Sequence, residues 1–165
     1  MNELVKLSAR QVVSLLRQGK VSPVELIDVA AARIAETDSP INALPTLCLE
    51  RARGHARKLM KRPAVNPHPS FLYGLPIAVK DLDDVAGVRT TKGSSIFAHH
   101  VPDSSDYVVE VLERNGAVVI AKSNTPEFGA GANTFNEIFG ATRNPWPASY
   151  ENGSVLCSGR LCVVL

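Results

Sequence analysis

The sequence predicts an α/β fold. Two short apolar runs, Ile77-Ala78-Val79 and Val118-Val119-Ile120-Ala121, read as buried strands bounded by turn signals. A helical pattern lies between them, which gives the order strand, loop, helix, strand of an α/β layer arrangement. Ahead of both stand two helices announced by capping boxes, Ser8-x-x-Gln11 and Ser22-Pro23-x-Glu25. With 165 residues, 45% hydrophobic and 21% charged, the chain is long enough to enclose one modest core.

Each element follows from its local residues. Behind Ser8, the side chains of Ala9, Val12, Val13 and Leu16 fall on one helical face, and Gly19 stops the helix. Ser22 is the N-cap of the second helix, Pro23 suits its first turn, and Ile27, Ala30, Ala31 and Ile34 form its apolar stripe. Residues 42–49 are expected to form a first strand. A basic stretch follows, Arg51, Arg53, Arg57, Lys58, Lys61 and Arg62, with Ala52, Ala56, Leu59 and Met60 on the opposite helical face. No aromatic residue is interleaved for base stacking and the net charge is only +2, so this reads as a solvated helix face and not a nucleic-acid surface. Residues 63–70 hold three prolines and form an irregular connector.

After the first apolar run comes a loop rich in Asp, Gly and Thr, in which Asp83, Asp84 and Gly87 suit bends. Asp81 and Asp83 as a carboxylate pair lack a nearby histidine or a third carboxylate at helical spacing, so they carry no metal or acid/base reading. Ser105 is expected to cap the next helix, with Val108, Val111 and Leu112 as its stripe and Asn115-Gly116 as its stop. Lys122-Ser123-Asn124 reads as the polar exit of the second apolar run. Gly129-x-Gly131 is no dinucleotide fingerprint, because Thr134 stands where the third glycine belongs; residues 129–136 are expected to loop close to the sheet.

The residue with chemical promise is Lys80. The Gly74-Leu75-Pro76 turn launches the first apolar run, and the run ends abruptly on Lys80-Asp81. Burial of an amine at a strand mouth disfavours its charged form, and a neutral amine accepts protons. The plainer alternative is a lysine that ends a strand and extends its amine to water.

Other function classes find little support. No apolar run is long enough to span a bilayer, and the N-terminus lacks the pattern of a signal peptide, so the cytoplasm is the expected location. Cys48, Cys157 and Cys162 have no metal-type spacing and read as reduced thiols. His55, His68, His99 and His100 join no ligand cluster, and His99-His100 reads as an exposed loop pair. No metal and no cofactor are expected.

Three blocks carry a resemblance. Residues 74–81, followed by Asp83-Asp84-Val85-Ala86-Gly87-Val88 and Thr90-Thr91-Lys92-Gly93-Ser94, resemble the amidase signature family. The stretch Gly116-Ala117-Val118-Val119-Ile120-Ala121-Lys122-Ser123-Asn124-Thr125-Pro126-Glu127-Phe128 is similar to that family's next block, a resemblance that implies Lys122-Ser123-Asn124 as part of the active-site wall without a catalytic role, and Gly140-Ala141-Thr142-Arg143-Asn144-Pro145-Trp146 is similar to the one after. The resemblance covers roughly residues 8–146. It implies the N-terminal part of an α/β/α fold with a mixed central sheet, truncated, and it places Lys80 on the family's catalytic lysine. The implied reaction is acyl transfer from an amide: the lysine takes a proton from a bridging serine, which takes one from a nucleophilic serine.

Residues 147–165 depart from the pattern. The family's Gly-Gly-Ser-Ser-Gly-Gly stretch is not there; Ser154 and Ser158 lie near its expected place but lack the flanking glycines. The expected organisation is therefore residues 1–146 as the N-terminal part of an amidase domain and 147–165 as a divergent tail, whose apolar end has no evident partner. A change of reading frame near residue 147 would account for the tail. The implied function is hydrolysis of small carboxylic amides to acid and ammonia, with this chain inactive alone. Two alternatives stand beside it: the glutamine-amidase component of a tRNA-dependent amidotransferase, and a non-catalytic fragment or interaction module. The expected partner is a small amide substrate, without nucleic acid or membrane, and an oligomer is compatible.

Overall fold

The computed structural model describes residues 3–61, 67–145 and 161–163. Helices α1 (Ala9–Arg17) and α2 (Pro23–Thr37) start where the capping boxes place them. At the first, Gln11 N donates to Ser8 Oγ at 3.4 Å and Ser8 N donates to Gln11 Oε1 at 2.8 Å. At the second, the reciprocal bonds run between Ser22 and Glu25. Each box satisfies two amides that the first helical turn leaves without partners. Leu26 joins Ile27, Ala30 and Ile34 in the core, whereas Ala31 is only partly buried.

The expected strand over 42–49 is reduced to β1 (Thr46–Leu47), because Leu49 already begins α3 (Leu49–Lys61). On α3, Ala52 and Ala56 are buried as the pattern predicts, but Met60 is exposed. The basic face is not simply solvated. Arg51 makes two bonds to the Glu113 carboxylate, at 2.7 and 3.1 Å, and Arg53 bridges Asp28 and Glu50.

Strands β2 (Pro76–Lys80) and β3 (Val118–Ser123) are buried throughout and run parallel. Between them lies α4 (Tyr107–Arg114). Ser105 does not cap it. The N-cap position belongs to Asp106, and neither side chain bonds to the helix. Ser105 Oγ instead accepts from Ala86 N at 2.9 Å, and the Asp106 carboxylate accepts from Asp84 N at 2.8 Å. The helix starts one residue later than expected, and its buried residue is Val109, packed on the sheet, while Val108 is 46% exposed. Asn115 closes the helix and Gly116 follows with φ +83°.

The small hairpin of β4 (Phe135–Asn136) and β5 (Gly140–Ala141) stands apart from the main sheet. The main sheet has the order β1-β3-β2-β6, with β1 antiparallel to β3 and β6 (Leu161–Val163) antiparallel to β2. It is therefore a mixed sheet in an α/β chain, as the sequence leads one to expect. The apolar end of the tail does have a partner: Val163 pairs with Ile77 and Leu161 with Val79.

Two layers cover the sheet. On one face, α2 and α3 bring Ile27, Ala30, Ile34, Ala52 and Ala56 against Ala78, Val118, Ile120 and Ala121. On the other, Val85, Val88 and Val109 pack against Ile77, Val79 and Val119. Ile120 and Ala121 are consecutive yet lie in one cluster, because the β2–β3 register shifts between Ile77 and Ala78. The shift is a bulge of one residue in β3. Among the described residues no helix is long and apolar enough to cross a membrane.

Candidate active site

The site is built at the C-terminal ends of β2 and β3, the edge at which open α/β sheets place their ligands. The entry to β2 is a tight turn. Gly74 has φ +96° and lies directly against Pro23 at the start of α2, so no side chain fits there. Its amide donates to Gly116 O at 2.6 Å, which ties the start of β2 to the start of β3.

Lys80 is the last residue of β2 and is 8% exposed. Among the described residues its amine makes no ion pair, and its backbone carbonyl accepts from Asp83 N at 3.1 Å. The bulge sets what stands beside it. Ahead of the bulge Ile77 is opposite Val119; beyond it Val79 is opposite Lys122 and Lys80 is opposite Ser123. Side chains alternate along a strand, so Lys80 and Ser123 share one face while Lys122 and Asp81 share the other. The Ser123 hydroxyl is buried and has no hydrogen-bond partner among the described residues.

On that other face sits a buried charge pair. Lys122 and Asp81 are both fully buried, with Lys122 Nζ 3.2 Å from Asp81 Oδ1. Lys122 also donates to Asp83 O and to Thr90 Oγ1, each at 2.8 Å. Asp81 Oδ2 accepts from Thr91 N at 2.9 Å and from Thr91 Oγ1 at 2.6 Å. Burial lowers the pKa of Lys122 below the ordinary lysine value, and the neighbouring Asp81, then Asp84 and Asp83, pull it part of the way back. Local sequence patterns assign no role to Asp81 or Lys122. Their one signal is a lysine closing a strand whose preceding residues are all apolar.

A third group locks the hairpin to the sheet. Asn124 donates to Gly140 O and Thr142 Oγ1, both at 3.1 Å, and its Oδ1 accepts from Asn136 Nδ2 at 2.7 Å. Thr142 Oγ1 donates in turn to Asn42 O at 2.7 Å. Residues 129–136 end on β4, where Asn136 bonds to Asn124 and Thr125 just beyond β3. Several of them, with Gly93, Pro126 and Glu137, line a cavity of about 540 Å³. Gly93 is required there: it has φ +68°, and a Cβ would lie 3.0 Å from the carbonyl oxygens of Thr125 and Pro126. A separate cavity of about 790 Å³ runs along α2, lined by Glu25, Asp28, Arg33 and Glu36, and holds none of these groups.

The histidines take no part. His55 contacts Glu113, His99 is exposed, and His100 stacks edge-on against Phe97. Among the described residues no three His, Cys, Asp or Glu side chains are grouped to hold a metal ion. Cys48 is a free thiol whose Sγ donates to Val119 O. Ser154 and Ser158, with most of the segment 147–165, lie outside the described residues.

The family model for amidases matches residues 25–154. The chain belongs to the amidase family. Its solved neighbours include an amidase signature enzyme, a bacterial aryl acylamidase, with 26% identity and a TM-score of 0.72 over 84% of this chain and 29% of the other. Another is a vestigial protein complex that bears on the origins of an s-triazine catabolic enzyme, with 34% identity and a TM-score of 0.75 over 84% of this chain and 31% of that one. Among curated relatives, a glutamyl-tRNA(Gln) amidotransferase subunit of Dehalococcoides mccartyi is 36% identical over 95% of this chain. The chain spans about a third of the length of that relative. The mixed α/β sheet matches the fold of these amidase neighbours.

Proposed function

We propose that Lys80 is the proton acceptor of an amidase acting on small carboxylic amides, yielding acid and ammonia. The observation that carries this reading is a buried lysine at the carboxyl end of a parallel strand pair, inside the stretch matched by the amidase family. In the family mechanism a serine attacks the amide carbonyl, its proton passes through a bridging serine to the lysine, and the amine leaves with a returned proton. Water then hydrolyses the acyl-enzyme. Lys80 supplies the base; the chain contains no diglycine-flanked serine to supply the hydroxyls. Residues 1–146 are accordingly proposed as the N-terminal part of an amidase domain, with 147–165 as a segment of different character. The free Cys48 thiol suits a reducing, cytoplasmic setting.

The test is ammonia release from a panel of aliphatic and aromatic amides by the purified chain. Background turnover is expected for the chain alone. Turnover that persists in Lys80→Ala would overturn the role of Lys80. Turnover that Lys80→Ala abolishes would assign the base and would show that a serine of this chain serves as nucleophile.

A second reading is favoured by the amidotransferase relatives: release of ammonia from glutamine within a larger assembly. Glutamine turnover that appears only with the other components of such an assembly would select it. Binding to a partner with no amide turnover under any condition would select the non-catalytic module.

A further inference from the structure

Among the described residues Lys122 and Asp81 form an ion pair with both side chains fully buried, and the proposed reaction leaves it unused. Two opposite charges taken fully out of water stabilise a fold little, because desolvation offsets most of their attraction. Their placement says more than their energy. Asp81 follows Lys80 directly, and its backbone groups and one carboxylate oxygen are hydrogen-bonded. Its amide donates to Ser123 O at 2.9 Å and its carbonyl accepts from Lys92 N at 2.9 Å. One carboxylate oxygen is held by Thr91 and the other faces Lys122. Lys122 in turn holds Asp83 O, and Asp83 N holds Lys80 O. The turn that leaves Lys80 is therefore fixed from both sides.

The Lys80 amine itself is held by no ion pair among the described residues, so its direction is set by the backbone that carries it. The bulge at Ile120–Ala121 completes the arrangement. Without that extra residue the ladder would place Lys122 opposite Lys80; with it, Lys122 crosses to the Asp81 face and Ser123 takes the place beside Lys80.

We infer that Asp81 and Lys122 are positioning residues: the pair anchors the turn after β2 and so directs the Lys80 amine onto the face it shares with the Ser123 hydroxyl. Neither touches the reacting atoms. The inference rests on the reading of Lys80 as proton acceptor, but its test needs no turnover.

The experiment is trace labelling of the full chain with acetic anhydride, with acetylation of Lys80 measured by mass spectrometry against the exposed Lys58. The charge-neutral double variant Asp81→Asn with Lys122→Met removes the anchor without leaving a lone buried charge. The Lys80/Lys58 ratio is expected to change by about fivefold, the scale of coupling between groups in one network. A melting curve taken alongside must remain cooperative. A merely structural pair would lower that melt and leave the labelling ratio alone, and a ratio within about twofold of the parent in a folded double variant would overturn the inference. Should the double variant not fold, Thr91→Val serves instead. It removes the 2.6 Å bond to Asp81, together with the 3.1 Å bond from Gly93 N, and leaves both charges paired. A change of about threefold is expected there, and an unchanged ratio would overturn the inference. Failure of Lys80 as base is seen separately, in amide turnover that survives Lys80→Ala.

Discussion

Lys80 stands in register with Ser123, and Lys122, one residue earlier on β3, is turned to the opposite face of the sheet. A single inserted residue produces this. Ile120 and Ala121 both face α2 and α3, so β3 advances by one residue against β2 at that point. The result keeps two buried lysines on adjacent strands from facing each other. One is paired with Asp81, and the other makes no ion pair among the described residues.

Deleting Ile120 should undo that separation. The ladder would bring Lys122 opposite Lys80 and strip Asp81 of its counter-ion. An unpaired buried carboxylate and two neighbouring amines together are expected to lower stability by at least about 3 kcal/mol. Urea unfolding of the deletion against the parent measures it. A loss below about 1 kcal/mol would mean that the register is not held by these side chains.

Gly93 bears on the same site from the loop side. Replacing it with alanine forces a Cβ to within 3.0 Å of two backbone oxygens at a φ of +68°. The loss should be about 1–3 kcal/mol, from backbone strain plus displacement of the 125–126 peptide. A thermal melt of Gly93→Ala checks this, and an unchanged midpoint would show that the two loops part freely.

Cys48 should be an unreactive thiol. Burial pushes its pKa up to about 11, against the weaker pull of Arg51 and Lys122, so its thiolate population near neutral pH is very small. Iodoacetamide labelling followed at the Cys48 peptide is expected to be slower than that of an unfolded control by about a hundredfold. Labelling at the control rate in the folded chain would contradict the burial.

What the sequence disclosed was local. Ser8 and Ser22 announce their helices because each capping box closes within four residues. The buried end of β2 at Lys80 was legible for the same reason: a turn, three apolar residues and an amine sit side by side. Ser105 was misread because its hydroxyl is claimed by Ala86, which no window around the helix contains. The stripe of α4 was misplaced because the sheet takes Val109, beside Val85, Val88 and Val119, and leaves Val108 to solvent. The Asp81–Lys122 pair lay wholly out of reach. Each residue alone reads as a polar strand exit, and only the bulge in the paired strand reveals that they face each other.

The Arg51–Glu113 pair makes stability depend on acid. Burial alone would raise the Glu113 pKa, but hydrogen bonds from His55 and Arg51, with the Arg51 charge, outweigh it and hold the value at about 2. The unfolded chain returns the carboxyl to 4.5. A carboxyl depressed in the folded state binds fewer protons there than in the unfolded chain, so its contribution is complete above 4.5 and is lost as the pH falls toward 2. Arg51 bonds to both carboxylate oxygens and joins α3 to α4, so the loss should be felt by the whole fold. After allowance for partial solvent screening, Glu113→Gln is expected to cost about 2 kcal/mol at neutral pH and less in acid. Urea midpoints measured through that acid range should converge for parent and variant as the pH falls. A constant gap between the two curves would show that folding does not lower the Glu113 pKa.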